Sequence, residues 1–164
     1  MLRAIAGLKV AAICCCFLAL AACSKKNTPD LEAKGFGVAA PGSEQEFKTV
    51  VGDRVFFAED QSTLSPEAQD TLRKQAAWLK QYRAVNVQVE GHADERGTRE
   101  YNIALSARRA TAARQFLIAQ GVPGNRISTI AYGKERPVAL CDAEQCWSQN
   151  RRAVTVITGG AKTS

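Results

Sequence analysis

Between residues 85 and 91 the chain reads VNVQVEG, and its apolar and polar residues alternate strictly. Val85, Val87 and Val89 share one side and Asn86, Gln88 and Glu90 the other, the period-two pattern of a strand with one buried face. Upstream the period changes. Ser65-Pro66-Glu67 offers a serine N-cap, a proline at the first helical position and a carboxylate near the positive helix end. Ala68, Leu72, Ala76 and Leu79 then recur every three to four residues, which predicts a helix as far as Tyr82. A second helix is expected from Thr98 to Gln120, stopped by Gly121 with Pro123 just beyond. β-Rich runs at 53–57, 127–133 and 152–158 supply three further strands, and 142–149 reads as a helical turn. Strands alternating with helices give an α/β two-layer sandwich, a four-stranded sheet with helices on one face and right-handed crossovers.

The N-terminus follows neither period. MLRAIAGLKVAAICCCFLALAAC carries Arg3 and Lys9, then an apolar run from Val10 to Ala22 that is too short for a stable membrane span. Its ending, Leu20-Ala21-Ala22-Cys23, is similar to a bacterial lipobox. Residues 1–22 are therefore expected to be removed as a signal peptide, leaving Cys23 as an acylated first residue, palmitate included. Several chains on one residue hold a membrane far more firmly than one. In such proteins a serine at the second mature position, here Ser24, directs export to the outer membrane. The alternative is an ordinary secretory peptide whose cut site happens to precede a cysteine. Residues 24–46 are small and polar, with Pro29 and Pro41, and read as a flexible tether ahead of a domain spanning 47–160.

This N-terminus changes the meaning of the cysteines. Of six, Cys14, Cys15 and Cys16 leave with the signal and Cys23 takes lipid, so Cys141 and Cys146 remain. In an oxidising compartment that pair is expected to form a local disulfide. The rival is half of a zinc site, for which a single histidine leaves too few further ligands. Charge excludes less. The 22 basic residues less Arg3 and Lys9, against 16 acidic ones, leave a mature chain near +4 with no basic run longer than two. Nucleic acid is a poor expectation for such a surface.

Candidate chemistry gathers in EGHADERGTREYN, residues 90–102, which holds the one histidine, His92, together with Asp94, Glu95, Arg96, Arg99 and Glu100. His92 is expected to be a hydrogen-bonded residue at a strand end. Gly91 and Gly97 would let the backbone turn sharply and approach a ligand. The helix that follows places Asn102, Leu105, Arg109, Ala113 and Phe116 on one stripe, so Arg109 falls on the packed side while Arg108 points to solvent. An arginine there needs a partner, since an unpaired buried charge costs several kcal/mol. Asp94 is the natural candidate. Two accounts stand open: a structural Asp94–Arg109 pair, or a split pair at a pocket mouth. In the second, Arg109 forks onto a ligand carboxylate and Asp94 accepts from a ligand ammonium. Thr98, a plausible N-cap, adds free amides nearby.

VEGHADERGTREYN, LSARRA (105–110), YGKERP (132–137) and WSQNRRAV (147–154), in this order, resemble the OmpA-like peptidoglycan-binding domain family. The likeness covers roughly residues 50–158, and CDAEQCWSQNRRAV resembles its alphaproteobacterial form. It implies a non-enzymatic domain with no cofactor that binds the peptide stem of peptidoglycan, chiefly its diaminopimelate residue, and so anchors the outer membrane. On this resemblance Asp94 and Arg109 match the family's binding aspartate and arginine. Asp60, Thr98, Asn102 and Leu105 match further pocket positions. The family also implies TolB and other Tol proteins as partners in envelope integrity and cell division, TolB on a surface overlapping the peptidoglycan site. The departure lies at Ala58-Glu59, where the family carries a carboxylate and an apolar residue.

Two rival functions follow. A periplasmic hydrolase is poorly supported: one histidine completes no metal set, and Ser62, Ser65 and Ser106 lack a nucleophile-elbow context. A module serving chiefly to bind TolB is the other.

Overall fold

The computed structural model describes residues 39–163. The expected signal peptide, Cys23 and most of the expected tether lie outside them. The last tether residues belong to the fold. Ser43 caps a three-residue helix, α1 (Glu44–Glu46), which runs into a wider helical segment with an i→i+5 pitch over Phe47–Gly52. Ser43 also bridges to Lys162, so this segment is tied to the end of the chain.

The expected strands form β1 (Arg54–Phe56), β2 (Asn86–Gly91), β3 (Ile127–Ala131) and β4 (Arg152–Gly159). Their order in the sheet is β1-β4-β2-β3. β4 runs antiparallel to both β1 and β2, and β2 pairs parallel with β3. The sheet is thus mixed, with its parallel pair joined across a long helix.

That helix is α3 (Arg99–Ala119), and α2 (Pro66–Gln81) precedes β2. Both start as their sequences dictate: Ser65 accepts from the Ala68 amide at 3.2 Å and Thr98 from the Tyr101 amide at 3.2 Å. Gly121 ends α3 with a φ of 92°, a left-handed turn that glycine takes without steric cost.

The core lies where the alternation of β2 puts it. Val85, Val87 and Val89 are buried against Leu72, Ala76 and Leu79 of α2 and Ala110, Ala113 and Leu117 of α3. Gln75 is the polar exception on α2. It donates to the Gly52 carbonyl at 2.7 Å and accepts from the Thr155 hydroxyl at 2.8 Å, joining helix, N-terminal segment and sheet. The turn expected at 142–149 is a seven-residue helix, α4 (Glu144–Asn150), and the structure joins Cys141 to Cys146 as a disulfide with Cα atoms 5.6 Å apart. No described helix is long and apolar enough to cross a membrane.

Candidate ligand-binding site

β2 ends where α3 must begin, and the loop between them, 92–98, builds one wall of a cavity of about 270 Å³. The 57–61 loop and the first turns of α3 complete it. Glu59, Asp60, Asp94, Arg96, Gly97, Tyr101, Asn102, Leu105 and Arg109 line it. Five of the six residues expected to bind ligand therefore meet here. Thr98 is the sixth. It stays outside, exposed, with its hydroxyl oxygen occupied in capping α3.

Arg109 is fully buried, as its stripe on the helix demanded, but its partners are not carboxylates. Nε donates to the Gln61 carbonyl at 2.8 Å, Nη1 to that of His92 at 2.9 Å and Nη2 to that of Ala58 at 3.2 Å. The side chain thus pins the 57–61 loop and the end of β2 to α3, over the ring of Phe57. Burial pulls its pKa down to about 10, against the opposing pull of Asp94, so it remains a cation at neutral pH. Of a guanidinium's five N–H donors, three are used this way. Among the described residues no carboxylate forms an ion pair with it, and Asp94 and Asp60 act on its charge only from a distance.

Asp94 bonds elsewhere, so the structural Asp94–Arg109 pair does not form. Its Oδ2 accepts from Arg96 Nη2 at 2.7 Å and from Arg151 Nη1 at 3.4 Å, and Oδ1 accepts from the Arg96 amide at 3.2 Å. Burial alone would raise its carboxyl pKa, but these bonds outweigh it and hold the group below its ordinary value. A buried cation bonded to carbonyls and an ionised carboxylate bonded to other arginines thus share one cavity.

The rest of the rim is polar. Asp60 holds a φ of 54°, rare outside glycine, asparagine and aspartate, and accepts from the Tyr101 hydroxyl. Asn102 donates to the Arg96 carbonyl at 2.7 Å, which sets the loop's return toward α3. The atypical Ala58-Glu59 pair has defined tasks. Ala58 needs only its carbonyl, for Arg109, and Glu59 accepts from Arg96 at 2.8 Å.

Arg96, Tyr101 and Arg151 were not legible as site residues. Arg96 looked like one charge among many in its loop, and Arg151 reaches Asp94 across 57 residues of sequence. Gly91 also serves a different purpose from the one expected. A Cβ there would overlap the Ser106 carbonyl, so its close approach is to α3 and not to a ligand.

His92 corrects another expectation. Its ring is 2% exposed, yet neither nitrogen has a hydrogen-bond partner among the described residues; the Glu90 carboxylate is 3.6 Å away. Burial, with Arg152 and Arg136 nearby, lowers its pKa to about 4, so it is neutral near pH 7. Only its backbone carbonyl reaches the site, through Arg109. Among the described residues no group of three His, Cys, Asp or Glu side chains is arranged to hold a metal ion.

Fold and cavity define a class. The chain belongs to the OmpA family, whose sequence pattern matches residues 56–152. Its curated relatives carry a more particular name, peptidoglycan-associated lipoprotein. That of Mesorhizobium japonicum is 58% identical over 146 residues, 87% of each chain, and that of Brucella melitensis 58% identical over 149 residues, 88% of this chain and 89% of that one. Among solved structures, the peptidoglycan-associated lipoprotein of Burkholderia pseudomallei superposes with a TM-score of 0.65 at 36% identity, covering 68% of this chain and 96% of its own. The C-terminal domain of Helicobacter pylori MotB matches with a TM-score of 0.61 at 22% identity, over 65% of this chain and 84% of its own, a likeness of fold alone. The curated relatives are named peptidoglycan-associated lipoproteins, and the chain, as a member of the same family, is not an enzyme.

Proposed function

We propose that the cavity binds the stem peptide of peptidoglycan without a covalent bond, by its diaminopimelate residue. The observation that carries this is the Arg109 guanidinium, bonded to carbonyls and not to a carboxylate, beside the ionised Asp94. A ligand with a carboxylate and an ammonium a few bonds apart complements that arrangement, and the far end of diaminopimelate is such a group. The carboxylate would take the two free donors of Arg109, and the ammonium would sit against Asp94 and Asp60. Tyr101, Asn102 and Leu105 complete the walls.

The lipobox-like ending at Cys23 supports the rest of the reading. Acyl chains there would hold the chain in the outer membrane while the domain grips the wall, so one polypeptide ties the two layers together. The names of the relatives agree with such a link. Within that role we place the chain in the Tol–Pal system, with TolB as a protein partner competing for the same face.

Co-sedimentation with purified sacculi tests the reading. Arg109→Lys and Asp94→Asn should remain in the supernatant, and Arg108→Ala, altered at an exposed position, should sediment like the parent. Sedimentation of either cavity variant at the parent's level would sink it.

A further inference from the structure

One wall of the cavity is supported from an element that contributes nothing to its lining. α4 packs outside the 92–98 loop. Trp147, half-buried on α4, lies with its ring 4.1 Å from the Arg96 guanidinium carbon, and its indole N–H donates to the Glu95 carboxylate. Arg96 is therefore held from two sides, by an aromatic face outside and by Asp94 and Glu59 inside. At the other end of α4, Arg151 donates to Asp94 and to the Phe57 carbonyl at 3.2 Å, and pairs with Glu144.

α4 has little means of holding itself in place. Seven residues are too few for a stable isolated helix, and its N-cap, Ala143, offers no side-chain bond. Besides the contacts of Trp147 and Arg151, two ties to the loop before it hold it. The Cys141–Cys146 bond joins the preceding loop to the third residue of the helix. Asn150, fully buried, accepts from the Val138 amide at 2.8 Å and donates to the Ala139 carbonyl at 2.8 Å, closing the same loop at its far end.

We infer that Trp147 is a positioning residue for the cavity, and that the Cys141–Cys146 bond acts through it. The ring holds the Arg96 guanidinium at the rim, where it bridges Asp94 and Glu59. Arg96 then orients the carboxylate without entering the space left for a ligand ammonium. Without the ring, Arg96 is a long side chain held only by exchangeable ion pairs at the rim. It is then free to swing into the cavity and occupy that space with its own charge. The inference rests on the reading of the cavity as a stem-peptide site.

The test uses the full chain and a soluble muropeptide carrying a diaminopimelate stem. Trp147→Ala should weaken binding about five-fold, the worth of one cation–π contact, while Trp147→Phe, which keeps an aromatic face, should stay within about two-fold of the parent. The double variant Cys141→Ser, Cys146→Ser should resemble Trp147→Ala, with thermal melting showing each variant folded. A spectroscopic arm is independent of these losses. The chain has two tryptophans, and Trp78 packs against Phe47 on α2, away from the cavity. In a Trp78→Phe chain, the emission of Trp147 should therefore change and saturate as the muropeptide binds. Should Trp147→Ala fail to fold, this titration decides alone, and flat emission on saturable binding overturns the inference. If Trp147→Ala binds like the parent while Arg109→Lys does not, the positioning role is wrong and the site stands. If both bind like the parent, the reading of the site itself falls.

Discussion

Asp94 and Arg109 line the same cavity and bond to different partners. Asp94 belongs to Arg96 and Arg151, whereas Arg109 belongs to the carbonyls of Ala58, Gln61 and His92. Had the two paired with each other, each would have cancelled the charge the other presents. Kept apart by separate bonds, they leave a positive and a negative pole facing one space.

This arrangement makes Arg109 structural as well as cavity-lining. Arg109→Ala should lower the unfolding free energy by about 3 kcal/mol, because three carbonyls lose a charged donor and a fully buried side chain leaves a void. Urea denaturation measures it. A change below about 0.5 kcal/mol, typical of exposed positions, would contradict the bonding described here.

Acid should find His92. Its pKa is about 4 in the fold against an ordinary value near 6.5, so the unfolded chain takes up a proton first as pH falls. Stability is therefore unaffected by this group above about pH 6.5 and declines between there and pH 4, by at most about 3 kcal/mol. Asp94, held below its ordinary value, adds its own loss only as pH falls further, through its folded pKa. Urea midpoints at pH 7 and pH 5 should differ in the parent and differ less in His92→Leu. Equal pH dependence in both would assign the effect to other groups.

Gly91→Ala should cost about 3 kcal/mol, since the new methyl group would overlap the Ser106 carbonyl and push α3 from the sheet. Thermal melting reads this directly. A stable Gly91→Ala would mean the helix sits further from β2 than the structure places it.

The sequence showed the scaffold more fully than the site. The alternation of Val85, Val87 and Val89, the Ser65-Pro66 start and the Gly121 stop are local signals, and each fell where the structure has it. The segment 44–52 was missed because a short helix passing into an i→i+5 turn has no periodic signature. The burial of Arg109 was legible from its helical stripe. Its partners were not, because a backbone carbonyl leaves no mark on the sequence. Nor was the link of Trp147 to Glu95, across 52 residues, or of Tyr101 to Asp60, across 41. Such contacts come from the way the sheet brings loop ends together, which spacing along the chain does not express.

Lipid attachment has its own test. Cys23→Ser should move the chain from the membrane to the soluble fraction when cells are fractionated. A product that stays in the membrane pellet would mean an uncleaved signal segment holds it there.

The central claim is that the cavity reads a zwitterion with Arg109 and Asp94. Calorimetric titration of two stem peptides into the full chain tests it most directly, one with diaminopimelate and one with lysine in its place. Lysine keeps the ammonium and lacks the carboxylate. The lysine peptide should bind at least about ten-fold more weakly, the value of the charged hydrogen bonds it cannot make to Arg109. Equal affinity for the two peptides would contradict the account.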